Sequence, residues 1–250
     1  MTEHLLHERD GALLTLRLNR PDKKNALTGA MYLGMADGLR AAAADDSIRA
    51  VIIAGGSDFT AGNDLADFAK AGSGGPRPGA AFEFLQVIRS FPKPLVAGVR
   101  GVAIGIGTTM LLHCDVVVTA RDAKLQMPFV RLGLVPEGGS SVLLARRVGQ
   151  ARANWWLLSG EAFSGASAAE AGLALETVDD NAVDATARRY AEQLATLPPG
   201  AYAESKRLLR EPQAVELEAV MDAERAAFSA RLQTPEAQAI FAGFFARKAG

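Results

Sequence analysis

The sequence predicts an α/β fold, because short apolar runs typical of buried strands alternate with helix-like segments over its first two thirds. Strands that are buried on both faces of a sheet consist of nearly continuous runs of Val, Ile and Leu. Three such runs are AVIIAG (50–55), PLVAGV (94–99) and DVVVTA (115–120), and GALLTLRLN (11–19) adds a stretch of period two. The intervening segments 30–44, 80–91 and 108–113 have helical character. A sheet with helices between its strands follows.

Beyond Ser140 the strand signals nearly vanish. The runs SSVLLARRVG (140–149) and ARANWWLLSG (151–160) each end in the glycine expected after a helix. Further helices are predicted over 182–197, 201–211, 215–232 and 235–248, and only LALETV (173–178) has the pattern of a late strand. The chain is therefore expected to have an α/β body followed by a helical region whose Ala, Leu and Phe favour packing against a neighbouring subunit.

Composition excludes several classes of protein. With 250 residues and a net charge of −1, the chain has no basic excess for binding nucleic acid. The single Cys114 rules out an intrachain disulfide, and three histidines make a His-rich zinc site improbable. No apolar run approaches the roughly 20 residues that cross a bilayer, so no membrane association is expected. The N-terminus lacks the pattern of a signal peptide, and a cytoplasmic location is the expectation.

Three loops contain residues that could perform chemistry. FTAGNDLADF (59–68) and GVAIGIGTTM (101–110) each place free backbone N–H groups before a helix, where an anion or a developing oxyanion can be held. The second mimics a dinucleotide fingerprint, but Met110 replaces its third glycine, which disfavours a Rossmann site. The third loop, PFVRLGLVPEGGSS (128–141), sets Glu137 before a helix. By itself this acid is either a helix-start carboxylate or a base in a dry pocket.

These three loops, together with NRPDKKNALT (19–28) and the closing PEAQAIFAGFFARK (235–248), resemble the enoyl-CoA hydratase/isomerase, or crotonase, family in order and spacing. The resemblance covers nearly the whole chain. It implies a spiral of strand-strand-helix turns over residues 1–195, followed by a C-terminal helical oligomerisation region over 196–250. It also implies a homotrimer or a dimer of trimers. No metal or redox cofactor is implied, because coenzyme A enters only as part of an acyl-CoA thioester substrate.

The resemblance assigns roles to individual positions. The backbone N–H groups of Asn63 and Ile106 correspond to the pair that binds the thioester oxygen. Lys23 and Lys24 lie in the loop that the family places at the adenosine, and Arg247 and Lys248 resemble basic positions that reach a neighbour's ligand. The full set of implied substrate and CoA contacts is Lys23, Lys24, Ala26, Ala61, Asp64, Leu65, Phe129, Arg247 and Lys248. From the residues alone, Asp64 favours a cap of the following helix over a catalyst, and His113 and Cys114 favour core or cap positions.

Glu137 is the residue on which the predicted activity depends. Hydratases of the family use two glutamates, and at those places this sequence has Thr109 and Phe129. Glu137 stands instead where Δ3,Δ2-enoyl-CoA isomerases carry their single glutamate. One base can move a proton between two carbons of an allyl unit, whereas hydration is better served by two acid/base groups. The sequence therefore predicts 3-enoyl-CoA isomerisation and a Glu137 with a raised pKa, with hydration or non-catalytic acyl-CoA binding as alternatives and thioester hydrolysis or C–C cleavage also open.

Overall fold

The structure is a computed structural model that describes residues 3–64, 79–210 and 214–249, with side chains as far as residue 243. Short strands are distributed along the body of the chain; the predicted runs at 11–19, 50–55, 94–99, 115–120 and 173–178 each contain one, and the strands at 102–104, 124–126 and 163–164 were not predicted. The strands are β1 (Leu5–Asp10), β2 (Leu13–Leu18), β3 (Ala50–Ala54), β4 (Leu95–Val99), β5 (Val102–Ile104), β6 (Val116–Ala120), β7 (Lys124–Gln126), β8 (Phe163–Ser164) and β9 (Glu176–Val178).

Six of these strands form one sheet in the order β1-β2-β3-β4-β6-β9. The β1-β2 pair is antiparallel and the other pairings are parallel. Every residue of β3, β4 and β6 is buried, which explains their continuous apolar sequence. The remaining strands form a smaller sheet, β5-β7-β8. Consecutive strands β4 and β5, and again β6 and β7, thus belong to different sheets, so each pair turns a corner of the fold.

Helices connect the strands and then dominate the end of the chain. They are α1 (Gly29–Ala44), α2 (Gly79–Ser90), α3 (Ile106–Thr109), α4 (Ser140–Val148), α5 (Gln150–Asn154), α6 (Gly165–Glu170), α7 (Val183–Ala195), α8 (Pro199–Arg210), α9 (Ala214–Leu232) and α10 (Pro235–Ala249). Short 3-10 turns cover Pro21–Lys23, Met110–His113, Val130–Leu132 and Asp180–Ala182, and a π turn covers Trp155–Ser159.

Three local predictions need correction. The segment expected to be helical over 108–113 begins earlier, at Ile106, and its second half, Met110–His113, is a 3-10 turn. The helix expected over 151–160 ends at Asn154 and continues as a π turn. The N-terminal LLHERD forms an edge strand that was not predicted, because only Leu5 of its six residues is buried and the apolar alternation is weak.

The loop after β3 is held between two other parts of the chain. On one side Thr60 N donates to Val102 O at 2.9 Å, and Ile104 N donates to Thr60 O at 3.0 Å. On the other side Leu27 N donates to Gly62 O at 2.7 Å. This double attachment fixes the loop that contains Asn63 beside β5, directly before α3.

Gly62 makes this close approach possible. Its φ is +83°, and a Cβ at this position would lie 2.5 Å from Ile104 O. A side chain would therefore meet a backbone atom that cannot rotate away, in a conformation that L-residues rarely adopt.

We expect Gly62→Ala to lower the free energy of unfolding by about 2 kcal/mol, because the new methyl group strains both φ and the contact with Ile104. Gly56→Ala is the matched control, since no atom lies within 4 Å of a Cβ there; its effect should stay within about 0.5 kcal/mol. Urea unfolding of both variants measures the difference. Equal stability of the two variants would contradict the account of this loop.

Candidate active site

The carboxylate of Glu137 is buried at the turn that leads into α4. Its exposed fraction is 4%, and its Oε1 accepts a hydrogen bond from the Thr109 hydroxyl. The pKa of Glu137 is raised to about 8, mainly because the carboxyl is buried; within this net value the Thr109 hydrogen bond lowers the pKa and the negative charge of Glu224 raises it. The raised pKa agrees with the apolar sequence around the glutamate. At neutral pH the group can therefore both hold and release a proton.

The backbone on the C-terminal side of Glu137 turns sharply. Gly138 and Gly139 have φ of +67° and +74°, which explains why two glycines follow the acid. Ser140 N and Oγ both donate to Glu137 O, at 3.1 and 2.6 Å. His113 Nε2 lies 2.8 Å from Gly138 O; because a carbonyl oxygen only accepts, this nitrogen carries the hydrogen. The turn is thus fixed through its main-chain atoms.

A second carboxylate, Glu224, holds the same turn from α9. Its Oε2 accepts from Gly139 N at 2.6 Å, and its Oε1 accepts from Ser141 N at 2.9 Å. The cap residue of α4 is Gly139, which has no side chain to satisfy the first N–H groups of the helix. Glu224 therefore caps α4 from a residue 85 positions away along the chain.

Two backbone N–H groups in the loops beside α3 were predicted to bind the thioester oxygen. In the described ranges 3–64, 79–210 and 214–249, neither Asn63 N nor Ile106 N donates to a protein acceptor. The Asn63 side chain is oriented by the Tyr32 hydroxyl, which donates to its Oδ1 at 2.7 Å. Ile106 starts α3 and Thr109, whose hydroxyl contacts Glu137, ends it, so the backbones of the two residues are separated by about 4.5 Å along one helix axis. The N–H groups of Asn63 and Ile106 and the carboxylate of Glu137 thus belong to adjoining segments of the fold.

A cleft of about 930 Å³ between α2 and α9 reaches this turn. Volumes of this size accommodate organic ligands. Its lining includes Gly138, the apolar Phe82 and Met221, and charged residues such as Glu83 and Arg225. The cleft therefore gives a path from solvent to the turn that carries Glu137.

Phe129 is a buried apolar side chain and supplies no polar group to this site. It is 5% exposed, and its ring meets Phe228 edge to face with centroids 6.5 Å apart. Phe228 in turn packs against Phe82, at 6.0 Å. The position of the second hydratase glutamate is thus part of an apolar aromatic cluster that joins the body to α9.

The other predicted contacts fall in two groups. Lys23 and Lys24 are exposed in the loop after β2, where Lys24 Nζ lies 3.8 Å from Asp58 Oδ1. Ala61 N donates to Lys24 O at 2.8 Å, and Ala26 N to Lys23 O at 3.0 Å, so the lysine loop and the Asn63 loop are joined.

Asp64 pairs with Arg20 at 2.6 Å in the same pair of loops. The helix that it was expected to cap lies outside the described residues, and so does Leu65. The side chains of Arg247 and Lys248 in α10 are likewise outside the described part of the chain, and their roles stay predictions.

Sequence reasoning missed Glu224 and gave His113 only a core or cap role. His113 is 3% exposed, and burial lowers its pKa to about 4, so the imidazole is neutral at physiological pH. Across residues 3–64, 79–210 and 214–249, no cluster of three or more His, Cys, Asp or Glu side chains could hold a metal ion. Nor does any helix in the described segments have the length and apolar character that a membrane span requires.

The sequence is similar to those of known proteins over most of its length. Residues 8–248 match the family model described as enoyl-CoA hydratase/isomerase. The chain is 35% identical to 1,2-epoxyphenylacetyl-CoA isomerase of Escherichia coli K12, over 90% of this chain and 88% of that one. It is 34% identical to 2,3-dehydroadipyl-CoA hydratase of the same organism, over 90% and 89%. It is also 33% identical to enoyl-CoA delta isomerase 2 of Rattus norvegicus, over 96% of this chain and 62% of that one.

Solved structures show the same architecture. The structure of Pseudomonas aeruginosa OdaA superposes with a TM-score of 0.93 at 47% identity, and covers 97% of this chain and 99% of that one. The crotonase fold predicted from the sequence is thereby confirmed. The chain belongs to the enoyl-CoA hydratase/isomerase family, whose members act on acyl-CoA thioesters.

Proposed function

We propose that this enzyme converts 3-enoyl-CoA to trans-2-enoyl-CoA, with Glu137 as the proton carrier and the N–H groups of Asn63 and Ile106 as the oxyanion hole. The observation that supports it most is the isolation of Glu137. This carboxyl is buried with a neutral hydroxyl, Thr109, as its hydrogen-bond donor. The other position at which a hydratase would need a carboxylate is Phe129, in an aromatic cluster.

The proposed reaction needs one base that works twice. Glu137 takes a proton from C2 of the acyl chain, and the electron pair moves onto the thioester oxygen to form a dienolate. The same carboxyl group then returns the proton to C4 while the double bond settles between C2 and C3. A pKa of about 8 suits both steps, because a shuttle is most effective when its proton affinity lies near the working pH.

Negative charge on the thioester oxygen is the main cost of this reaction. Two N–H donors aimed at that oxygen would stabilise the dienolate, and one such donor is typically worth about 10²–10³ in kcat. The unoccupied N–H groups of Asn63 and Ile106 support this role, as does the rigid attachment of the Asn63 loop to β5. Lys23 and Lys24, both exposed in the joined loop, are proposed to meet the phosphates of coenzyme A.

Hydration of 2-enoyl-CoA is the second candidate, since one relative is named 2,3-dehydroadipyl-CoA hydratase. Other relatives are named isomerases, including enoyl-CoA delta isomerase 2. Hydration would require a second acid/base group to position water. Thr109 and Phe129 give no carboxylate at the two family positions, so the residues favour isomerisation.

Glu137→Gln should lower kcat for 3-enoyl-CoA isomerisation by about 10²–10⁴, because it removes the proton carrier and preserves the shape of the side chain. Affinity for a saturated acyl-CoA should remain near that of the wild type. Glu192→Gln is the control, as it removes an exposed carboxylate that pairs with Arg188 on α7. Turnover of purified protein with 3-enoyl-CoA and with 2-enoyl-CoA, in parallel, provides the measurement.

Two outcomes would reject the proposal. Dominant hydration of 2-enoyl-CoA that survives Glu137→Gln would identify a hydratase with a different base. Tight binding of acyl-CoA, seen as a thermal shift, without turnover of any thioester would identify a non-catalytic binding protein.

Thr109→Val tests how the base is tuned. Valine keeps the volume of threonine but removes the hydroxyl that donates to Glu137 and lowers its pKa. The pH at which kcat reaches half its plateau should therefore rise, and activity at pH 7 should fall several-fold. A pH-rate profile between pH 6 and 10 shows the displacement. Thr196→Val is the control, because it removes an exposed hydroxyl that donates to Gln193 O. Thr108→Val is less suitable, because Thr108 Oγ1 donates to Ala103 O. A profile unmoved in Thr109→Val would contradict the role of the hydroxyl.

The free energy of unfolding should also depend on the protonation of Glu137. Its pKa is about 8 in the folded state against an ordinary value of 4.5, so folding favours the protonated form. This contribution is complete below pH 4.5 and is lost as pH rises through 8. One pKa unit corresponds to about 1.4 kcal/mol, so the difference between 4.5 and about 8 makes the loss on the order of 5 kcal/mol. Urea unfolding of wild type and Glu137→Gln from pH 5 to 9 should diverge in this sense, and parallel curves would contradict it.

A further inference from the structure

Glu224 occupies an unusual position on α9. The buried residues of this helix are Leu217, Met221, Glu224, Phe228 and Leu232. Their spacing of three and four residues defines the face that packs on the body of the protein. Glu224 is the charged member of this face, and only 8% of it is exposed. A buried carboxylate is costly unless strong hydrogen bonds offset its loss of water, so its partners indicate what it is for.

Both partners belong to the turn that carries Glu137. The two carboxylate oxygens of Glu224 accept from Gly139 N at 2.6 Å and from Ser141 N at 2.9 Å. Hydrogen bonds from N–H groups to an ionised acceptor are among the stronger ones in proteins. Helix α9 also packs closely there, since a Cβ on Gly139 would lie 2.5 Å from Leu217 Cδ1.

We propose that Glu224 is a positioning residue for the reaction. Through Gly139 N and Ser141 N it fixes the two-glycine turn that follows Glu137. The inference rests on the proposed function of Glu137 as the proton carrier. It extends that function by making a helix of the C-terminal region part of the catalytic geometry.

The turn has few other means of holding its shape. Gly138 and Gly139 have no side chains, and glycine populates many backbone conformations, so contacts from outside the turn must select one of them. His113 supplies one contact, from its Nε2 to Gly138 O, and the Ser140 hydroxyl supplies another, to Glu137 O. The hydrogen bonds from Gly139 N and Ser141 N are accepted by Glu224, so its removal frees two donors on one side of the turn.

Two side chains act on the pKa of Glu137, and other titratable groups lie on the elements around its turn. From α3 the Thr109 hydroxyl donates to Oε1 and lowers its pKa. From the 3-10 turn after α3, His113 faces Gly138 as a neutral ring. From α9, Glu224 adds a negative charge that raises the pKa. Farther out in the cleft, Glu83 of α2 is paired with Arg40, and Arg225 of α9 is paired with Asp222.

Three variants separate positioning from charge. Glu224→Gln removes the charge and leaves one oxygen to accept. Glu224→Asp keeps the charge but shortens the side chain, so the two N–H groups are no longer reached together. Glu218→Gln is the control, because it removes an equal charge from the same helix at an exposed position, 3.9 Å from Arg89.

The expected results differ for each variant. Glu224→Gln should lower plateau kcat by about 10- to 100-fold with little change in KM, since small displacements of a reacting group are costly. It should also move the midpoint of the pH-rate profile to lower pH, opposite to the displacement expected for Thr109→Val. Glu224→Asp should lower kcat with a smaller displacement of the midpoint. Glu218→Gln should change neither.

A readout without turnover keeps the inference distinct from the proposed function. A protonated carboxyl group gives an infrared band, and the band that is absent from Glu137→Gln belongs to Glu137. This band can be titrated with pH in wild type and in both Glu224 variants. A midpoint that falls in Glu224→Gln supports the electrostatic part, even if the protein fails to isomerise 3-enoyl-CoA. Unchanged kcat and an unchanged titration in a folded Glu224→Gln would overturn the inference. Failure of wild type to turn over 3-enoyl-CoA would reject the proposed function instead.

Discussion

The structure around the proposed base depends on the burial of one carboxyl group without a cation. Among the described residues, Glu137 has a hydroxyl as its side-chain hydrogen-bond donor, and its nearest charged influence is another acid, Glu224. Burial of a carboxylate under these conditions strongly favours the protonated form. The turn must therefore hold Glu137 in place by its backbone, because no residue of the described segments forms a salt bridge with its carboxyl. The two glycines, His113 and Glu224 all serve that requirement.

The proton affinity of Glu137 results from opposed effects of different origin. Desolvation is the largest and raises the pKa, Glu224 adds to it, and the Thr109 hydroxyl opposes both. A hydroxyl is a moderate donor, whereas an arginine or lysine would pin the carboxyl in its ionised form. With Thr109, the group remains close to the balance between its two forms near neutral pH. A proton carrier that must give up and regain the same proton needs this balance more than it needs strong basicity.

Sequence reasoning reached the parts of the molecule that are encoded locally. The buried strands β3, β4 and β6 are visible as apolar runs, and Glu137 stands in a short motif before two glycines. The edge strand β1 was missed because five of its six residues are not buried. Glu224 was missed because its partners lie 83 and 85 residues away. A signal did exist, since it is an acid on the apolar face marked by Leu217, Met221 and Phe228, but the pattern cannot name the partner.

The contacts of α9 also bear on where the active site ends. The sequence suggests a catalytic body over residues 1–195 and a helical region after it, which assigns chemistry to one part and assembly to the other. Yet Glu224 accepts a hydrogen bond from Gly139 N, two residues after Glu137. Phe228 of the same helix packs on Phe129 and Phe82. The same helix thus lines the cleft and caps α4, so the candidate site includes residues of the C-terminal region.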